Sequence, residues 1–293
     1  MYERIDICPC CNSKDFENYI ICDDYSVSKE SFAITKCKNC GLLITSPRPD
    51  VHSIGTYYES KDYISHTNKA NGLLNFIYKK VRNQTLRNKF QLIDKLTLKK
   101  KILDYGCGTG EWLNYNKQKG WKTLGIEPNP KAKEHAINQY GLEVYSDIQS
   151  IPNKKFSIIT LWHVLEHVHD LNKLLHELHS KLSKKGKLII AVPNHDCYDR
   201  KFYKEYWAAY DVPRHLYHFN QQTLLELSTF HNFKLERTIP MKFDSYYVSM
   251  LSEKNKTRSH NYIKSIIIGW LSNRWAKKNE NNYSSLTYIF SKT

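Results

Sequence analysis

Cysteines and closely spaced glycines are the residues of this chain most able to do chemistry. Cys8 and Cys11 form one Cys-x-x-Cys pair, Cys37 and Cys40 a second, and 25 residues separate the pairs. With this spacing, two knuckles can bring four thiolates onto one Zn²⁺ at about 2.3 Å. The residue after each pair needs a positive φ, which Gly41 adopts freely and Asn12 tolerates. Four thiolates close the coordination sphere, so the expected ion is a structural Zn²⁺ that contributes folding energy rather than catalysis. Cys10 and Cys22 are spare thiols, or either replaces a member of a pair. Tyr19, Ile20, Ile21, Phe32 and Ile34 in the spacer predict short strands, the makings of a zinc ribbon.

The second constellation runs from Lys101 to Leu113: a short apolar run, Asp104, glycines at 106, 108 and 110, then residues fit for a helix. Strand, loop and helix in that order aim backbone N–H groups at a ligand beside a helix N-terminus, where anionic groups are favoured. A dinucleotide fingerprint would need its third glycine at position 111, which is Glu111, so the phasing excludes NAD. A second strand, Lys122 to Ile126, leads into Glu127, which lies 21 residues beyond Gly106. A carboxylate there accepts both hydroxyls of an adenosyl ribose.

The elements that must hold these residues fit within 293 residues and 34.6 kDa, enough for a large core with an appendage. No apolar run reaches the roughly 18 residues of a membrane span. The N-terminus lacks the basic start and apolar segment of a secretory signal, so the expected compartment is cytoplasmic, with the cysteines as thiols or metal ligands. The net charge of +15 is uneven, because residues 1–50 carry 6 Lys/Arg against 8 Asp/Glu and residues 51–101 carry 11 against 3. The cysteine-bearing head is therefore acidic. The excess reads as solvated helix faces or as contact with an anionic surface or ligand.

The chain resembles the class I S-adenosylmethionine-dependent methyltransferases, and within them a subgroup with an N-terminal zinc ribbon. Asp104-Tyr-Gly-Cys-Gly-Thr-Gly110 is similar to their glycine loop, and Gly-Ile-Glu127-Pro128 to their ribose-binding acid. The resemblance implies a doubly wound, seven-stranded Rossmann-like α/β sheet of order 3-2-1-4-5-7-6, with the ribbon packed at one end. It implies a cofactor site of Asp104, Gly106, Cys107, Gly108, Gly110, Glu127, Pro128, Asp147, Ile148, Trp162 and His163. Phe156 to Val168 is similar to the fourth strand and its turn, although Ser157 stands where the family usually has an acid. Lys185 to Asn194 is similar to the fifth strand, and Phe233 to Ile239 with Ser285 to Phe290 to the closing hairpin. Between strands four and five, Asp170 caps a run of leucines at helical spacing. The implied organisation is a zinc-ribbon module over 1–50, a helical lid or linker over 51–100 carrying Tyr57, Tyr58 and Tyr63, and a methyltransferase domain over 101–293. The substrate class implied is a small molecule, such as a sugar or a cell-surface glycan or lipid precursor.

Methyl transfer chiefly requires alignment of the acceptor with the sulfonium, and a hydroxyl acceptor also requires a base. The candidate bases are His163, His167 and His215. His163-Val-Leu-Glu-His167 also matches the H-x-x-E-H motif of a metalloprotease class, but it begins at a strand end rather than inside a helix. Asp211-Val-Pro-Arg-His-Leu-Tyr-His-Phe219 supplies Arg214, His215 and His218 as candidate acceptor-binding residues. Arg214 either holds an acceptor anion through its forked donors or pairs with Asp211. Ile263, Ile266, Ile267, Trp270, Leu271 and Trp275 predict a helix that packs on the core or lies on a membrane surface. An RNA methyltransferase is disfavoured by the acidic head and by Trp162-His163-Val164-Leu165 in place of an Asn/Asp-Pro-Pro-aromatic motif. The remaining alternative is a non-catalytic cofactor-binding protein.

Overall fold

A computed structural model describes residues 1–58, 73–152, 154–259 and 261–293, so Tyr63 and part of the expected lid lie outside the described residues. The N-terminal module contains β1 (Tyr2–Glu3), β2 (Phe16–Asp23), β3 (Ser31–Cys37), β4 (Leu43–Thr45) and β5 (Arg48–Pro49). After the helix α1 (Leu73–Asp94), strands and helices alternate: β6 (Lys101–Tyr105), α2 (Glu111–Gln118), β7 (Lys122–Ile126), α3 (Pro130–Tyr140), β8 (Val144–Tyr145), β9 (Phe156–Trp162), α4 (Leu171–Lys181) and β10 (Leu182–Pro193). The chain then forms α5 (Tyr198–Tyr203), β11 (Tyr217–His218), α6 (Gln221–Phe230), β12 (Phe233–Pro240), α7 (Asp244–Thr257), α8 (Tyr262–Ala276) and β13 (Ser285–Lys292).

Seven strands make the main sheet in the order β12-β13-β10-β9-β6-β7-β8. Numbered along the chain and read from the β8 edge, this is the expected 3-2-1-4-5-7-6. The strands β6 to β10 pair in parallel and β13 runs antiparallel between β10 and β12. Six of the seven residues of β9 are buried, the continuous apolar reading of a strand covered on both faces. On α4, Leu171, Leu174, Leu175 and Leu178 are buried at helical spacing, and the Asp170 side chain accepts from the Lys173 N–H at 2.9 Å to cap it. Ser157, where the family usually has an acid, accepts from the Lys101 N–H at 3.2 Å and so ties β9 to the start of β6.

The N-terminal sheet reads β11-β4-β3-β2, so a strand from residues 217–218 completes the sheet begun by the cysteine-bearing head. Thr45 Oγ1 donates to the His215 carbonyl at 2.7 Å across this junction. Both knuckles have the expected turn: φ is 60° at Asn12 and 81° at Gly41. Arg214 bolts the same junction. It is 2% exposed, and its Nε, Nη1 and Nη2 donate to Asp211 (3.0 Å), the Tyr57 carbonyl (3.0 Å) and both Asp24 (3.0 Å) and Asp211 (2.7 Å) respectively. Burial alone would raise both carboxyls, but both lie below the usual range because of the Ser28 N–H and Arg214 at Asp24, and Arg214 at Asp211. Arg214→Ala should cost about 3–5 kcal/mol in urea unfolding, since it strands two acids in the interior. Because both folded-state values are depressed, this contribution is present above the unfolded carboxyl value near 3.9 and is lost as pH falls below it.

On α8 the packed face is made mostly of small residues, with Ser265, Gly269, Ser272 and Ala276 buried beside Ile268. A Cβ on Gly269 would fall 2.9 Å from the Tyr246 Cα, so the approach of α7 to α8 requires glycine there. The larger apolar residues Ile263, Ile266, Ile267 and Trp270 point outward and are half to three-quarters exposed. Among the described residues, no helix is long and apolar enough to cross a membrane.

Candidate active site

The sheet order reverses between β6 and β9, and in open α/β sheets the crevice at the carboxyl ends of such strands is where ligands bind. Asp104 Oδ1 accepts from Thr160 Oγ1 at 2.6 Å across that boundary. Burial pushes the Asp104 carboxyl up to about 7, against the opposing pull of the Thr160 hydroxyl and the Lys89 ammonium. Glycines 106, 108 and 110 all have positive φ. At Gly108 a Cβ would meet nothing within 4 Å, so the left-handed backbone, not crowding, requires glycine, and the space above it is open. The Gly108 N–H donates to Glu127 Oε2 at 2.8 Å, and the Asn129 N–H donates to Oε1 at 2.8 Å. Glu127 is thereby aimed by the loop it faces. Burial raises its carboxyl, and these two N–H groups act in the opposite sense.

Around this centre the remaining expected residues fall in different places. Cys107 is buried in the core cluster that includes Trp112 and Leu113, and Pro128 is exposed. Asp147 follows β8 and accepts from the Ser150 hydroxyl and N–H, which hold its carboxyl below the usual range, while Ile148 is buried. Trp162 ends β9 and meets Trp112 edge to face at 6.0 Å.

Two residues that the sequence reading missed stand here as well. Lys89 of α1 places Nζ 3.9 Å from the Trp162 ring centroid. Burial lowers its ammonium to about 8, with Asp104 and Asp244 pulling the other way. Asp244, at the start of α7, lies 3.2 Å from His163 Nε2. Neither carries a motif, because both reach the crevice from helices outside the glycine-loop region.

The histidines divide into two sets. His163, with φ 55°, is about a third exposed (35%) and lies between Asp244 and Glu166. Its ring is pushed up to about 9, because the neighbouring Asp244 and Glu166 carboxylates outweigh the lowering by burial. His167 and His215 meet edge to face at 4.6 Å between centroids. Burial, and then the neighbouring His215, lower His167 to about 4. His218 is buried, lies 3.0 Å from Thr45 Oγ1 through Nε2, and is lowered by burial. Of the two sequence readings of Arg214, the pair with Asp211 is the arrangement observed, with Asp24 added.

A separate cluster joins Cys8, Cys11, Cys37 and Cys40, whose sulfurs all lie within 4.8 Å of one another. Cys8 and Cys40 are 3.5 Å apart at sulfur, as are Cys11 and Cys37. A tetrahedral ion with Zn–S bonds of about 2.3 Å needs edges near 3.8 Å, so this donor set fits zinc. Cys10 lies 3.7 Å from the Thr223 carbonyl and Cys22 is buried on β2.

The sheet order, with a crevice at its reversal, defines a doubly wound Rossmann-like α/β protein with a ligand site at the switch point. Residues 78–238 match the family model described as "Methyltransferase domain", and the chain belongs to that family. Among solved structures it is similar to magnesium protoporphyrin IX methyltransferase from Synechocystis, determined with bound SAH: TM-score 0.55, 13% identity, covering 83% of this chain and 100% of that one. It is also similar to coclaurine N-methyltransferase bound to N-methylheliamine and SAH, at TM-score 0.52 and 13% identity, covering 80% of this chain and 79% of that one. A relative from Haemophilus influenzae, described as an uncharacterized protein, is 29% identical over 106 residues, which is 31% of this chain and 41% of the relative. The match thus spans less than half of that relative's length.

Proposed function

We propose that the protein transfers the methyl group of S-adenosylmethionine to a small-molecule acceptor of the sugar, glycan-precursor or lipid-precursor kind. The observation that carries this reading is Glu127, held by the Gly108 and Asn129 N–H groups with its carboxylate beside an open, positive-φ glycine loop. Glu127 receives the ribose hydroxyls, the loop from Gly106 to Gly110 backs the methionine end, and Asp147 with Ile148 meets the adenine. Trp162 and His163 form the floor toward the transferred methyl.

The acceptor lies over His163 and Asp244, between the end of β9 and the start of α7. Alignment and exclusion of water supply most of the rate, with effective molarities worth about 7–11 kcal/mol in favourable cases. The outward apolar face of α8, Ile263, Ile266, Ile267 and Trp270, favours an acceptor carried at a lipid surface. Zn²⁺ on the four cysteines serves the fold alone, since it leaves no open coordination position.

The reading is tested by calorimetry with S-adenosylmethionine, then by incubating the protein and methyl-labelled cofactor with fractionated host extract. Uptake of one cofactor per chain and label in a small-molecule or glycolipid fraction are expected. Absence of uptake by folded protein, or label confined to RNA, overturns it.

A further inference from the structure

We propose that Glu166, His167 and His215 form a second metal site, which takes a divalent transition-metal cation and leaves coordination positions for oxygen ligands. One donor atom of each lies within 4.8 Å of the others. The two segments that supply them are fastened together, because the Leu216 N–H donates to the Glu166 carbonyl at 2.8 Å.

Both rings are set as ligand histidines are. His167 Nδ1 lies 3.0 Å from the Arg214 carbonyl and His215 Nδ1 lies 2.8 Å from the Ala209 carbonyl. His215, donating Nδ1–H to the Ala209 carbonyl, presents its Nε2 lone pair, the outer-shell pattern of metal-bound imidazole. His167 does the same in the tautomer that donates Nδ1–H to the Arg214 carbonyl, its Nδ1 also lying 2.9 Å from the Tyr58 hydroxyl. The carboxylate is the independent sign. Glu166 is 1% exposed, and neither of its oxygens has a hydrogen-bond partner among the described residues. Its contact with His163 Nδ1, at 3.4 Å, is not aligned as a hydrogen bond. A buried carboxylate whose one ion pair, to His163, leaves both oxygens without an aligned hydrogen bond keeps lone pairs to spare, and a bound cation would use them.

The donor set narrows the ion. Two imidazoles and one carboxylate suit manganese, iron, cobalt or zinc better than magnesium or calcium. The site is not the helical H-x-x-E-H arrangement of a protease: Glu166 and His167 lie on a three-residue turn, Leu165–His167, and His163 turns toward Asp244. On the methyl-transfer reading, a cation here would hold an acceptor oxygen and ease loss of its proton.

The probe is Mn²⁺ alone, a hard ion that favours nitrogen and oxygen donors over the four thiolates. Full-length protein with its cysteine site loaded is titrated with Mn²⁺ and followed by electron paramagnetic resonance. One bound Mn²⁺ per chain with nitrogen couplings from two imidazoles is expected. Glu166→Gln and His215→Gln should each weaken binding at least about tenfold, whereas His176→Ala, on the exposed side of α4, should not. No bound Mn²⁺ on folded protein, bound Mn²⁺ lacking nitrogen couplings, or unchanged affinity in folded variants overturns the site. The couplings in the unaltered protein decide the matter should a variant fail to fold. Mn²⁺ bound in this way to protein that takes up no S-adenosylmethionine upholds the site and instead removes the methyl-transfer reading.

Discussion

Glu127→Ala is expected to raise the Kd for S-adenosylmethionine at least about 100-fold, measured by calorimetry on protein whose thermal unfolding is otherwise normal. A hydrogen bond to a charged group contributes about 1.5–3 kcal/mol, and on the proposed reading two ribose hydroxyls would share this carboxylate. The substitution acts twice, because the same oxygens accept the Gly108 and Asn129 N–H groups at 2.8 Å each. Without them the loop loses the support that presents its backbone to the ligand. Glu127→Gln should not restore full affinity: the amide NH₂ must point at one of those N–H groups, and donor facing donor costs a further hydrogen bond. An intermediate loss of about tenfold is expected for Gln. Undiminished affinity in Glu127→Ala would remove the adenosyl reading of the crevice.

The parts of this site that the sequence displayed are those encoded within one strand–loop–helix unit. Asp104 to Gly110 and Lys122 to Glu127 are each contiguous, so their chemistry and geometry share one stretch of chain, and β7 has the boundaries its residues suggest. Strand order came from the resemblance to the class I methyltransferases and not from the residues themselves, and the sheet has that order. What escaped depends on contacts between distant segments. Lys89 and Asp244 converge on Trp162 and His163 from opposite sides of the chain, and no local spacing marks them. The pairing of β11 with β4 is a two-residue ladder, too short for any periodic signal. The face of α8 was hidden differently. Periodicity shows that an apolar stripe exists, not that the core has room for it, and here Ser265, Gly269 and Ser272 take the close approach instead.

Removing the zinc proposed for the four-cysteine cluster, by chelation or by Cys37→Ser, should unfold the N-terminal module and loosen residues 211–219 while affecting the glycine loop much less. Structural zinc contributes about 10–16 kcal/mol in zinc-finger peptides, comparable to the 5–15 kcal/mol that stabilises a whole domain. A module of about 50 residues buries too little apolar surface to replace that contribution. Its loss should travel along identified contacts. Cys8, Cys37, Leu42 and Ile44 share one core cluster with Leu216, Tyr217 and Phe219, and that cluster extends to Leu103, Leu124 and Ile159 of the central strands, so the distinction lies in the direct bonds. Thr45 bonds the His215 carbonyl and His218, and Asp24 holds Arg214. Asp104, Gly108 and Glu127 are anchored instead on β6, β7 and β9, with no strand shared with the head. Hydrogen exchange should therefore show protection lost over 1–50 and 211–219 together, with one equivalent of zinc released and S-adenosylmethionine affinity reduced by less than about tenfold. Full protection of 211–219 in metal-free protein would show that the head is an independent appendage and that its zinc stabilises nothing beyond itself.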